Sequence, residues 1–226
     1  MTLLRQFQGL VERTYGSTGV NLEECLVGGG RYRELSRQSG TETSGMSAEG
    51  RTFFQIRHGR LHLAIYYDPG VIEILERYDP MRELGNRNIR AVVVFLEEID
   101  HAIHGSLRFL ENRFATEAES GESMLEDLEL QARVDIYLVL ELMISRMRRH
   151  RRLSQQQRQW LQSHLFRGEN FQYSNPFLEN RYRNANFWGN RLINHLGKMD
   201  SNVRVPFLRA FRSLGLEAKK AWIHRL

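Results

Sequence analysis

Apolar residues recur at helical spacing from the start of the chain. Leu3, Leu4, Phe7, Leu10 and Val11 predict a helix over residues 3–14. Residues 15–50 lose that period. They are rich in Gly, Ser and Thr, with Gly28-Gly29-Gly30 and the run from Ser39 to Gly45, and they read as loop. The triple glycine is followed by no Lys-Ser/Thr pair, so it reads as plain loop and not as a phosphate cradle. The period then changes to two. Phe53–Arg57 and Leu61–Tyr67 flank His58-Gly59-Arg60, and Leu61, Leu63 and Ile65 alternate with His62 and Ala64. This predicts a hairpin over 52–67 with one buried face, closed by Asp68-Pro69.

Beyond the hairpin the pattern is helical. A short helix is expected over 70–77, a long one over 88–111, and a second long one from Met124 to Arg149. Asp79-Pro80, Gly85-Asn86 and a Glu/Ser/Gly-rich connection at 116–122 separate them. Ser154 with Gln157 forms a capping box for a helix over 155–166. Phe177–Met199 and Val203–Ala221 predict two further helices, split near Gly197 and Asp200. The sum is an α+β, predominantly helical fold. A small hairpin packs on a two-helix core (residues 1–145), and a helical C-terminal subdomain follows (residues 146–226).

One helix breaks its own apolar pattern. After Ala91–Leu96 come Glu97, Glu98, Asp100, His101 and His104. Glu97, Asp100, His101 and His104 stand at i, i+3, i+4 and i+7, and so share a face. Burying acids and imidazoles together is costly unless something binds them, and a divalent metal ion is the economical candidate. A ferritin-like two-metal site would need a second Glu-x-x-His besides Glu98-Ile99-Asp100-His101, and the chain has none.

The segment Glu97-Glu98-Ile99-Asp100-His101 resembles the His-Glu-x-x-His helix of zincin metallopeptidases, with Glu97 in place of the first histidine. The hairpin before it and the acid-bearing helix after it add to that resemblance, over about residues 52–145. It implies Glu97 and His101 as metal ligands and Glu98 as the general base. By position Glu129 resembles the downstream ligand of glutamate-type zincins, with Glu126 and Asp135 as rivals for that place. His104 is an alternative third ligand. Zinc is the metal implied, and an oxygen-rich ligand set also suits manganese or iron. Asp100 or Asp135 would steady a metal-bound imidazole, and Tyr66, Tyr67 or Tyr137 would donate to an oxyanion. The reaction implied is hydrolysis of a peptide or protein substrate.

Composition adds three constraints. Cys25 is the one cysteine among 226 residues, so no disulfide forms within the chain and a reducing compartment fits. The N-terminus lacks a signal-peptide core and no run of 18 apolar residues occurs, so a cytoplasmic protein with no membrane span is expected. Charge is uneven: residues 1–145 carry 15 arginines against 23 acids, net −8, and residues 146–226 carry 17 basic residues against 4 acids, net +13. Arg146–Arg152 is a basic run, and Arg181–Arg191 interleaves arginines with Tyr182, Phe187 and Trp188. Such a surface suits nucleic acid, an acidic protein partner, or docking onto the chain's own acidic half. The alternative to an enzyme is therefore a non-catalytic binding module on a degenerate zincin fold.

Overall fold

The computed structural model describes residues 1–39, 49–114, 121–148, 153–167 and 176–226. It is a predominantly helical α+β fold, and none of its described helices is long and apolar enough to cross a membrane. Helix α1 (Leu3–Tyr15) starts at Thr2, whose hydroxyl accepts from the Arg5 N–H, and buries Leu4, Phe7 and Val11. The loop expected after it is partly helical: a short 3-10 turn (Leu22–Cys25) and helix α2 (Gly29–Gln38) interrupt it. Few aliphatic residues mark α2. Gly28 takes the extended conformation of an N-cap, Arg31 pairs with Glu34 one turn on, and the Tyr32 ring stacks on Tyr66 with centroids 4.1 Å apart. Of the Ser39–Gly45 run, Ser39 ends α2 and the rest lies outside the described residues.

Strands β1 (Gly50–Arg57) and β2 (Arg60–Tyr67) pair antiparallel, with Arg57 opposite Arg60 and Gly50 opposite Tyr67. The turn is two residues, one fewer than the sequence suggests. His58 (φ 50°) and Gly59 (φ 71°) both take left-handed backbone, the requirement of a tight turn that matches strand twist. Side chains alternate faces. Thr52, Phe54, Leu63, Ile65 and Tyr67 face the core, where the Tyr67 hydroxyl donates to the Phe95 carbonyl at 2.9 Å. The oxyanion role considered for Tyr67 thus has a backbone bond in its place, and Tyr66 is stacked under Tyr32.

Helix α3 (Pro69–Arg77) has Asp68 as N-cap and Pro69 at its first position. It leads to α4 (Ile89–Leu110) and α5 (Gly121–Arg148). These two run antiparallel, since Glu97 meets Arg133, His101 meets Glu129 and Arg108 meets Asp127. Val92, Ile99 and Ile103 of α4 share the main core with Ile136 and Leu140 of α5. Helix α6 (Gln155–Gln162) shows both bonds of the capping box and continues as a π-turn over Ser163–Arg167. Helix α7 (Pro176–Leu196) follows.

The helix expected over 203–221 is two helices, α8 (Ser201–Arg212) and α9 (Leu216–His224). Gly215, the N-cap of α9, breaks the run and turns Leu216 and Ile223 onto a second core. That core joins Leu130 and Val134 of α5 to Leu192, Phe211 and Ile223 of the last three helices.

Five cations of the basic C-terminal half are matched by acids of residues 1–145. Arg181 grips Glu122 with two bonds (2.9 and 2.8 Å), Arg204 meets Glu141, Arg212 meets Glu111, Lys219 meets Asp127 and Lys220 meets Glu126. Docking onto the chain's own acidic half, one of the uses that the charge asymmetry leaves open, is thus seen at these five pairs. The stretch 149–152 of the basic run lies outside the described residues.

Candidate metal centre

The polar stripe of α4 does not act as one unit. Packing against α5 divides it into two groups of three. Glu97 and His101 converge with Glu129, and Asp100 and His104 converge with Asp135. In each group one ligand atom per residue lies within 4.8 Å of the others. The i,i+4 spacing on α4 supplies two members of each set, and α5 supplies the third. The rival Glu126 is turned away, onto Lys220.

The two groups differ in what is left over. In the second, His104 and Asp135 are fully bonded, while neither oxygen of Asp100 makes a hydrogen bond and Oδ1 stands 3.3 Å from His104 Nε2. The Asp135 carboxylate accepts from the Tyr15 hydroxyl at 2.5 Å, from His104 Nε2 at 2.9 Å and from Gln131 Nε2 at 3.0 Å. Burial weighs against the His104 imidazolium, and Asp100 and Asp135 outweigh it, pulling the group up to about 9. Arg212 pulls the other way, donating its Nε–H to His104 Nδ1 at 3.2 Å. A nitrogen that accepts from a guanidinium carries a lone pair, so Nε2 holds the ring's proton while Arg212 is seated. That proton goes to Asp135, so a metal at Nε2 would have to displace it and break this bond. The alternative ligand His104 is thus separated from Glu97 and held in a hydrogen-bond network. The acids expected to support a metal-bound imidazole, Asp100 and Asp135, serve His104 and not His101.

The first group keeps unused atoms. His101 Nε2 and Glu129 Oε2 face each other at 3.4 Å, both buried, and neither makes a hydrogen bond. Two ligand atoms about 2.1 Å from one tetrahedral ion stand about 3.4 Å apart, so this spacing suits a shared cation. Glu98 lies on the other side of the ring, with Oε2 3.9 Å from His101 Nδ1, and accepts from the Thr52 hydroxyl at 2.7 Å. An acid behind a histidine whose other nitrogen faces the ligand set is the usual support of a metal-bound imidazole. The side chains of Glu97 and His101 keep 12% of their surface, which leaves a narrow opening to solvent.

Arg133 modifies the charge of this group. Its side chain is buried, 3.8 Å from Glu97 Oε2 and 5.6 Å from the Tyr182 ring. Burial raises the Glu97 carboxyl to about 8, with Arg133 only partly opposing it. Burial also disfavours the charged His101, but Glu129 and Glu98 more than reverse this and leave the imidazole raised. Glu129 is pushed up by burial and brought below its usual range by His101 and Arg133. A metal ion entering here would displace protons from Glu97 and His101. Sequence reasoning misses Arg133, whose i,i+4 spacing from Glu129 suggests a surface pair. It also misses Thr52, which no motif marks.

Comparison with known protein families, with curated proteins and with solved structures finds no match for this chain.

Proposed function

We propose that this protein is a metal-dependent hydrolase, with one divalent ion held by Glu97, His101 and Glu129 and a peptide or protein as its substrate. The observation that carries the metal is the facing pair His101 Nε2 and Glu129 Oε2, buried and without a hydrogen bond, with Glu97 converging on both. Such an ion supplies Lewis acidity and lowers the pKa of bound water. Two carboxylates and one imidazole suit zinc, manganese or iron(II), and Arg133 offsets part of the ligand charge. The choice of peptide bonds rests on the motif resemblance. Glu98 holds the position of the general base in that motif, and its contacts to Thr52 and His101 Nδ1 give it an orienting role as well.

A second reading has its own observation. Arg133 and a proton on Glu97 can balance the group without an ion, which makes it a structural polar seam in a non-catalytic module. Metal analysis separates the two. Protein expressed in metal-supplemented medium should carry about one equivalent, and His101→Ala should carry none. Absence of metal from the parent protein sinks the enzyme reading. Glu98→Gln then assigns its role: metal retained with peptidase activity lost identifies a base, whereas affinity weakened roughly 10- to 100-fold identifies a support for His101.

A further inference from the structure

The β-hairpin carries a surface that neither the motif nor the metal site uses. Residues 50–67 contain Arg51, Arg57, Arg60, His58 and His62 and no acid, although the half of the chain around them is net acidic. The register assigns all of these except the turn residue His58 to one side. Arg57 stands opposite Arg60, Gln55 opposite His62, and Arg51 opposite Tyr66, all on the face turned away from α4. Tyr32 of α2 covers only the base of that face, at Phe53 and Tyr66. From Gln55 to Arg60, and at His62, the ribbon is exposed. Among the described residues neither Arg57 nor Arg60 meets an acid, while Arg181, Arg204, Arg212 and Lys220 of the basic half all do.

Two like charges directly opposite in an antiparallel pair destabilise it. Here the pair sits next to a tight turn, at the protruding end of a two-stranded ribbon. We propose that the outer face of this hairpin binds duplex DNA, with Arg57 and Arg60 on phosphates and Gln55 and His62 toward the groove. A two-stranded ribbon fits the major groove of B-form DNA, whose walls are phosphate. The exposed positions of this face are polar or cationic, and the exposed apolar side chain of the tip, Ile56, lies on the opposite face. The deep, narrow major groove of an RNA duplex excludes such a ribbon.

Fluorescence anisotropy with a labelled DNA duplex of about 20 base pairs, over about 50–200 mM salt, tests this with the full chain. The parent protein should bind, and Arg57→Ala/Arg60→Ala should bind at least about tenfold more weakly. Its slope of log K against log salt should be smaller by about 2, because two phosphates are no longer neutralised. Arg183→Ala/Arg191→Ala on α7 should bind within about twofold of the parent. Both hairpin side chains are exposed, so the Tm should hold; Arg57→Gln/Arg60→Gln, which keeps longer polar side chains, repeats the measurement and should read the same way. The proposal is overturned by no binding by the parent, by a hairpin variant that binds like the parent, by a larger loss from the α7 variant, or by equal binding to an RNA duplex. Binding to anionic phospholipid vesicles without binding to the duplex overturns it in favour of a membrane.

Discussion

Asp127 gives the sharpest test of how the C-terminal helices are held. It is 4% exposed and splits its carboxylate between two buried cations: Oδ2 meets Arg108 at 2.7 Å and Oδ1 meets Lys219 at 2.8 Å. Lys219 is 1% exposed and also donates to Gln131 Oε1 at 3.0 Å. Burial pulls its ammonium below the ordinary lysine range, with Asp127 opposing. Among the described residues Asp127 is the acid that both cations share, and Arg108 has contacts besides it. Asp127→Asn leaves both cations without their shared counter-charge, a loss of about 3–5 kcal/mol. Lys219→Met keeps an apolar stem of similar length and leaves Arg108–Asp127 as a balanced pair. Its loss should be about 1–2 kcal/mol, one ion pair and one hydrogen bond less the relief of desolvation.

At about 2–4 °C per kcal/mol for a chain of this size, the two variants should lower Tm by roughly 6–20 °C and 2–8 °C. The double variant is the decisive measurement. Removing Lys219 from the Asp127→Asn background removes an uncompensated buried cation, so the double variant should be more stable than Asp127→Asn alone, with a coupling of about 1–3 kcal/mol. Calorimetry or urea unfolding reads all three. If Lys219→Met costs as much as Asp127→Asn, or the double variant is the least stable, the shared-acid account is wrong.

Glu97 predicts a pH dependence for the metal-free protein. Its carboxyl sits at about 8 when folded, against 4.5 for the free side chain, so between those values the folded chain holds a proton that the unfolded chain has released. Its contribution is full below about pH 4.5 and is lost as pH rises through about 8, at about 1.4 kcal/mol per unit. Urea midpoints measured in chelator should fall from about pH 5 to about pH 8, less steeply in Glu97→Gln; equal slopes would refute the assignment. A Cβ on Gly105 would lie 2.3 Å from Phe54 Cε1, and Phe54 is braced edge-on by Phe114, so Gly105→Ala should cost about 1–3 kcal/mol in thermal melts. Ser154→Ala removes half of the α6 capping box and should cost about 1 kcal/mol, seen as a shifted unfolding midpoint.

The long elements are legible in the sequence because period and burial coincide in them. The hairpin faces follow from Leu61, Leu63 and Ile65, and the motif helix from Ala91–Leu96. Helix α2 is hidden because its ring anchor is remote in sequence: Tyr32 finds Tyr66 across the fold, and no local spacing encodes that. The α8–α9 break is hidden because apolar residues keep helical spacing across Gly215 while the chain changes direction.

The site is legible as residues but not as an arrangement. A helical wheel puts Glu97, Asp100, His101 and His104 on one stripe, and only the neighbours decide how a stripe about 100° wide is divided. Glu129 draws Glu97 and His101 together on one side of α5, while Asp135 of the same helix draws in Asp100 and His104, with Tyr15 of α1 bonded to Asp135 and Arg212 of α8 bonded to His104. The two groups are told apart by their histidines: His104 is bonded at both nitrogens and Asp135 takes three donors, although Asp100 has none, whereas His101 Nε2 and Glu129 Oε2 face each other without a hydrogen bond. Packing relocates the outward-facing positive charge in the same way. Sequence order assigns it to residues 146–226, yet several of those cations are matched by acids of α5 and Glu111. Arg57 and Arg60, in the acidic half, are the pair that packing leaves facing outward side by side.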